Sequence, residues 1–240
     1  VLSVEYEFVE LILNGEYRGI YCMTENMDRK QMKLKKYDEA TSQLHGQLWK
    51  SKEWCYAVFM GTVPDNGGGS YYPKYSLSTP DGNSEEWDHY QVKYPDIEDV
   101  SPTDWSTLYD AINFVLNSSD EEFAGQVASC FDIPVVTDIS IFISIVNGLD
   151  NRGKNILWAV YDKEQDKKLT PAPWDLDCTV GQEWLTEDIR GPEILFDWQI
   201  GLTNRHGVTC AINQIELHVF HCSTCITGQD VVILCVLTCS

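Results

Sequence analysis

The chain has 240 residues, 43% of them hydrophobic, which is typical of a globular protein with one large domain or two lobes. Its formal net charge is -20, and its pI is about 4.4. This charge argues against binding to nucleic acid or to an anionic membrane, because both need a basic surface that replaces counterions. An anionic ligand such as a nucleotide would therefore have to be held locally, by metal ions and a few lysines.

The start of the chain and the length of its apolar runs bear on whether it carries a signal sequence or a membrane-spanning segment. Residues 1–5 alternate like a strand already under way and show no signal sequence, so we expect the piece to begin inside a longer gene product. The longest apolar run near the end, residues 231–237, is far shorter than the roughly 18 residues that span a bilayer. We therefore expect no transmembrane segment in this chain.

Strands dominate the predicted elements of the first part. Apolar and polar residues alternate over residues 6–25 on either side of Asn14-Gly15, which predicts a β-hairpin with a tight turn. After a basic segment, residues 46–50 predict a further strand, and residues 90–94 predict another. Between them, three consecutive glycines lie among the turn-forming residues 64–73, a composition more typical of a surface insertion than of a phosphate-binding loop.

Helices dominate the second part. A start signal at residues 101–104 precedes the first of three predicted helices, which cover residues 105–115, 120–128 and 134–146. Residues 155–161 and 169–173 then predict a hairpin across a charged turn. The order of elements predicts an α+β fold, strand-rich at first and helix-rich later.

The first candidate site follows the last predicted helix. Asp150 and Asn155 have the D-x-x-x-x-N spacing of kinase catalytic loops. In those loops the Asp orients or deprotonates the acceptor hydroxyl, and the Asn coordinates a metal ion on the phosphates. Alone, the spacing is weak evidence, because a helix end followed by a polar turn has the same pattern.

The second candidate site follows the predicted hairpin. Asp175 and Asp177 are two positions apart, so we expect both carboxylates to leave a strand on the same side. Paired acids supply the oxygen ligands that Mg²⁺ prefers, although a solvated turn would also carry acids at a strand end. A hairpin between the two motifs would bring them together, with three further acids predicted at the rim: Glu183, Glu187 and Asp188.

These motifs together resemble the CotH kinase family of spore-coat and cell-surface proteins. The resemblance extends from the first residues to about Gly181 and fades after about His206. It rests on the Asn-Gly hairpin with Thr24-Glu25, on the next two strands, and above all on residues 150–155 followed by Pro-Trp-Asp-Leu-Asp at 173–177. It implies an atypical protein-kinase fold with two lobes, ATP bound with Mg²⁺ or Mn²⁺, and transfer of phosphate to protein Ser/Thr.

The resemblance also implies roles for individual acids. Asp150 matches the catalytic acid, and Asn155 and Asp175 match the metal ligands, with Asp177 as a further metal candidate.

The phosphate-binding lysine stays open between two candidates. Lys50 and Lys93 both lie on predicted strands, and Glu25 could pair with either of them as acids do in kinase amino-terminal lobes. A solvated surface position is the alternative for all three.

The two ends of the chain depart from the family. The family has further elements before its Asn-Gly hairpin, so we expect part of the amino-terminal lobe to be missing. We assign residues 1–206 to the kinase domain and residues 207–240 to a tail that holds five of the nine cysteines and no Lys or Arg. His218, His221, Cys222 and Cys225 could bind zinc, but a tail outside the evolved domain, such as one from a shifted reading frame, fits better.

Three functions compete. The first is a protein kinase that uses ATP and Mg²⁺ or Mn²⁺ and acts on a protein substrate, secreted or at the cell surface as the resemblance implies. The second is a non-catalytic surface or coat interaction protein, an adhesin or scaffold that keeps the fold. The third, carbohydrate hydrolysis by Asp175 and Asp177, is weak because acids two residues apart seldom straddle a glycosidic bond at about 5–10 Å.

Overall fold

The computed structural model describes residues 5–53, 55–60, 77–146, 148–151 and 153–179. Within these ranges the protein has the predicted α+β fold, and its strands form two antiparallel sheets. The predicted loop at residues 64–73, the three rim acids and the cysteine-rich tail lie outside the described residues.

The first sheet is the predicted hairpin, formed by β1 (Tyr6–Leu13) and β2 (Glu16–Thr24). Asn14 and Gly15 have φ angles of 53° and 83°, which both central residues of a tight hairpin turn require. Side chains on both faces of the hairpin are exposed, Phe8 on one face to 68% and Met23 on the other to 59%. The alternation of apolar and polar residues here does not mark one buried face.

The second sheet has five strands in the order β4-β5-β3-β6-β7. The strands are β3 (Gln47–Ser51), β4 (Glu86–Trp87), β5 (Tyr90–Tyr94), β6 (Ile156–Val160) and β7 (Thr170–Pro173). All but the short β4 were predicted. Every residue of β6 is buried, because this strand lies between two others and both of its faces are covered.

The described residues contain four α-helices, of which the last three were predicted and the first was not. They are α1 (Tyr56–Phe59), α2 (Ser106–Asn117), α3 (Asp120–Cys130) and α4 (Ile133–Ile145). Helix α3 begins at a capping box, in which Ser119 and Glu122 each bond the other's backbone N–H. Among the described residues, none of the helices has the length and apolarity needed to cross a bilayer.

The five-stranded sheet carries a hydrophobic cluster on each face, because successive strand residues point to opposite sides. The helix-facing cluster includes Trp49 and Trp158. The opposite cluster joins Leu48 and Leu157 to the basic segment before β3, whose Met32 and Leu34 are buried. The sheet therefore presents two different surfaces to its surroundings, and Lys50 shares the second one with Leu48.

A charged network closes the turn between β6 and β7. The carboxylate of Asp162 accepts hydrogen bonds from His45 Nδ1 at 2.8 Å and from Lys35 Nζ at 2.9 Å. Lys163 in the same turn forms an ion pair with Asp104. We call this region, residues 161–169, the turn end of the β6–β7 hairpin.

Candidate active site

The opposite end of the β6–β7 hairpin brings the two acidic motifs together, as predicted. Ile156 pairs with Pro173 at the last rung of the ladder. Just beyond it, the backbone N–H of Trp174 donates to the carbonyl of Asn155 at 2.9 Å. We call residues 150–155 and 174–178 the open end of the hairpin.

Asp150 is held in a fixed orientation by residues of its own loop. It lies in a 3-10 turn, Leu149–Asn151, and is 8% exposed. Its Oδ2 accepts hydrogen bonds from Asn155 Nδ2 at 2.7 Å and from Lys154 Nζ at 2.9 Å. The four-residue spacing therefore produces direct contact between the predicted catalytic acid and a predicted metal ligand. Lys154, four residues after Asp150, was not among the predicted site residues.

Asn155 adopts a left-handed backbone conformation, with φ of 56°. Asparagine tolerates this region better than most residues. Its side-chain nitrogen is engaged with Asp150, so the atom that could coordinate a cation is the amide oxygen.

Asn151 joins the two halves of the site and was also missed. Its Nδ2 donates to the carbonyl of Trp174 at 2.6 Å and to that of Asn155 at 3.3 Å. The side chain is 2% exposed. One amide therefore fixes the acidic segment after β7 against the loop that carries Asp150.

Ser51 anchors the same loop to β3. Its Oγ lies 2.9 Å from the carbonyl oxygens of Gly153 and Ile156 and accepts the N–H of Ile156 at 3.0 Å. Because Ser51 directly follows Lys50, these contacts also fix the position of the predicted phosphate-binding strand relative to Asp150.

The predicted geometry of Asp175 and Asp177 is wrong in one respect. Strand β7 ends at Pro173, and Asp175 has φ of 59°, so strand alternation does not orient the two acids. Both side chains are exposed. Burial raises the pKa of the Cys178 thiol, and the charges of Asp177, Asp150 and Asp175 raise it further, so all three acids lie within electrostatic range of this thiol.

Lys50 and Lys93 lie on neighbouring strands, close enough for their charges to interact. Burial lowers the pKa of Lys50, the charge of Lys93 lowers it further, and Asp175 opposes the shift. Lys93 occupies a bulge, because Leu48 pairs with Tyr94 and Trp49 with Val92. Bulges redirect side chains, and this one belongs to the strand beside Lys50. Lys50 therefore lies close to both Lys93 and Asp175, and the two candidate lysines are neighbours.

Glu25 does not take the predicted position beside a lysine. Its carboxylate accepts the backbone N–H of Glu5 at 3.2 Å, within the first hairpin. Among the described residues, neither Lys50 nor Lys93 forms an ion pair with it. Sequence position alone suggested this pairing, and the hairpin's own backbone engages the acid instead.

Comparison with protein families decides the family of the chain. The sequence matches CotH kinase protein over residues 1–205, a range that includes every residue of the site. The chain belongs to the CotH kinase family. No curated protein matches it. Membership suggests kinase activity, and the match ends one residue before the point where the resemblance fades.

The donor atoms of this CotH kinase family member suit a hard divalent cation. Asn155, Asp175 and Asp177 offer only oxygen ligands, the type that Mg²⁺ and Mn²⁺ take. In the described part of the chain, no group of three or more His, Cys, Asp or Glu side chains forms a complete metal site. Mg²⁺ in phosphoryl-transfer sites needs only one or two carboxylates, because substrate phosphates and water complete its shell.

Proposed function

We propose that this chain forms part of a protein kinase that transfers the γ-phosphate of ATP to a Ser or Thr hydroxyl of a protein substrate. ATP would bind at the open end, between a strand-rich and a helix-rich lobe. One observation carries the proposal: the Asp150–Asn155 contact lies beside Asp175 and beside two lysines with like charges, in a chain whose net charge is -20.

The lysines bind and orient the nucleotide. Lys50 and Lys93 repel each other, and an anionic phosphate chain placed between them and Asp150 would remove that repulsion. A fixed nucleotide and a fixed acceptor convert a bimolecular reaction into an effectively unimolecular one. The residues therefore contribute most by positioning, as in other phosphoryl transfers.

Asp150 positions the acceptor. In the transfer step, the substrate hydroxyl oxygen forms a bond to the γ-phosphorus while the bond from that phosphorus to the β–γ bridging oxygen breaks. ADP leaves with that oxygen, and the hydroxyl proton passes to the Asp150 carboxylate. The bonds from Lys154 and Asn155 keep this carboxylate in place.

Asn155 and Asp175 would hold the divalent cation, with Asp177 as a further ligand. The cation supplies charge stabilisation on the phosphate oxygens when bound. Asn151 contributes indirectly, because it holds the segment that carries Asp175 against the loop that carries Asn155.

A second candidate is a non-catalytic interaction protein. The observation that favours it is the first hairpin, whose large apolar side chains are exposed on both faces. These include Tyr6, Phe8 and Ile20 on one face and Tyr21 and Met23 on the other. Exposed apolar patches of this kind mark contact surfaces, but a contact surface does not require the Asp150–Asn155 arrangement.

Transfer of labelled γ-phosphate tests the proposal. The chain is incubated with ATP and Mg²⁺ or Mn²⁺, with itself and a generic protein as acceptors, beside Asp175→Asn and the matched control Asp99→Asn. Asp99 is an exposed acid on a loop after β5. We expect transfer that requires the metal, survives in Asp99→Asn and is lost in Asp175→Asn. Absence of both transfer and metal-dependent ATP binding would favour the interaction protein.

A further inference from the structure

Lys50 is placed by an aromatic side chain. Its Nζ lies 5.2 Å from the ring centroid of Trp174, within the range of a cation–π contact. Lys50 follows Leu48 by two residues on β3, and Trp174 packs at the edge of the cluster that contains Leu48. The sheet face itself therefore brings the ammonium group to the indole ring.

The position of Trp174 is fixed at both of its peptide groups. Its N–H donates to the Asn155 carbonyl at 2.9 Å, and its carbonyl accepts from Asn151 Nδ2 at 2.6 Å. Asp175 is the next residue. The same backbone bonds therefore position both the indole ring beside Lys50 and the candidate metal ligand that follows it.

We propose that Trp174 is a positioning residue, whose indole ring directs the Lys50 ammonium toward the phosphates of the bound nucleotide. This inference rests on the proposed function. In other protein kinases a carboxylate orients the phosphate-binding lysine. Here, among the described residues, Lys50 has no ion pair, and the Glu25 carboxylate is bound to the Glu5 backbone.

An aromatic ring and a carboxylate can both position a lysine, but they differ in how much of its positive charge they neutralise. A carboxylate neutralises the ammonium, whereas an aromatic face attracts it through a quadrupole and leaves its net charge in place. Lys93 adds a second positive charge nearby, which lowers the pKa of Lys50 after the larger effect of burial. Because the ring does not neutralise Lys50, its ammonium can form a charged contact with the phosphates.

A double-mutant cycle on nucleotide affinity tests this role. Mg·ATP dissociation constants are measured for wild type, Trp174→Phe, Trp174→Leu, Lys50→Met and the Trp174→Leu/Lys50→Met pair. We expect Trp174→Leu to weaken binding about tenfold and Trp174→Phe less, because Phe keeps an aromatic face. In the Lys50→Met background, Trp174→Leu should add little. Lys36→Met, at an exposed lysine paired with Glu39, is the control for loss of one positive charge.

NMR of the nucleotide-free protein supplies a readout that a general structural role would not change. The Lys50 ε-methylene protons, identified by their loss in Lys50→Met, should be shifted upfield by the ring and should return toward ordinary lysine values in Trp174→Leu. Ordinary shifts in wild type, or equal weakening by Trp174→Leu with and without Lys50, would overturn the role of Trp174. Absence of Mg·ATP binding by wild type would overturn the proposed function, and the role with it.

Discussion

The two ends of the β6–β7 hairpin use the same kinds of residue to opposite effect. At the turn end, burial alone would raise the pKa of Asp162, but the bonds from His45 and Lys35 lower it to about 2. Lys163 is paired with Asp104 in the same region. At the turn end, acidic and basic side chains therefore pair with one another.

At the open end, Lys154 pairs with Asp150, but like charges also lie side by side without such a partner. Lys50 has Lys93 as a neighbour, and the Cys178 thiol has three carboxylates near it. Structural ion-pair networks and functional sites both perturb pKa values, but uncompensated charge indicates a site that awaits a ligand. From this contrast in charge pairing, we assign stabilisation of the fold to the turn end and ligand binding to the open end. Substitutions at each end test this assignment.

The largest expected effect is on transfer by Asp150→Asn. The amide keeps the shape of the side chain but cannot accept the hydroxyl proton, so the transfer rate should fall roughly 100- to 10,000-fold. Thermal unfolding should change far less than activity. A rate within a few-fold of wild type, measured with saturating Mg·ATP, would remove Asp150 from the reaction.

Lys50→Met should separate binding from stability. Loss of a charged hydrogen bond to phosphate should weaken Mg·ATP binding roughly 10- to 100-fold. Burial and Lys93 already disfavour the charged lysine, so the free energy of unfolding should be unchanged or higher. Urea titrations beside ATP titrations measure both quantities. A clear loss of stability with unchanged affinity would reverse the assignment.

Asp162→Asn should show the opposite pattern. It removes the charge that His45 and Lys35 share, and hydrogen bonds to charged groups contribute about 1.5–3 kcal/mol each. We expect the free energy of unfolding to fall by about 1–3 kcal/mol. Transfer by the folded variant should stay at the wild-type rate. Equal loss of activity and stability would show that the two ends are not separable.

The smallest expected effect is the pH dependence of the stabilisation that the Asp162 carboxylate provides. The folded pKa of Asp162, about 2, lies below the ordinary value of 3.8. The stabilisation is therefore complete above about pH 4 and is lost as the pH falls toward 2. The difference in urea midpoint between wild type and Asp162→Asn should narrow between pH 4 and pH 2. A difference that stays constant over this range would mean that the pKa of Asp162 is not depressed.

The elements that sequence predicted well depend on local chemistry. Asn14-Gly15 specifies its turn through the φ angles of two adjacent residues, and helix α3 begins where Ser119 and Glu122 can cap it. The Asp150–Asn155 contact is also short in sequence, so its spacing was informative. In each case the interacting groups are within five residues of one another.

The parts that sequence missed depend on contacts between distant segments. The hydrogen bond from Ser51 to Gly153 joins residues 102 positions apart in sequence. The one from Asn151 to Trp174 joins residues 23 positions apart. The bulge at Lys93 depends on the register of β3 against β5, which the sequence pattern of either strand alone does not predict. Glu25 was misassigned for the same reason, because its partner is the Glu5 backbone across the hairpin.

Paramagnetic NMR with Mn²⁺ and ATP measures most directly whether the open end binds a metal–nucleotide complex. The indole N–H signal of Trp174, assigned by its loss in Trp174→Phe, reports the open end, and the His45 ring reports the turn end. The two are separated by the five-residue strand β6, about 17 Å long. We expect substoichiometric Mn·ATP to broaden the Trp174 signal well before that of His45, and Asp175→Asn to abolish the effect. Equal broadening at both ends, or none at saturating Mn·ATP, would contradict a metal–nucleotide site at the open end.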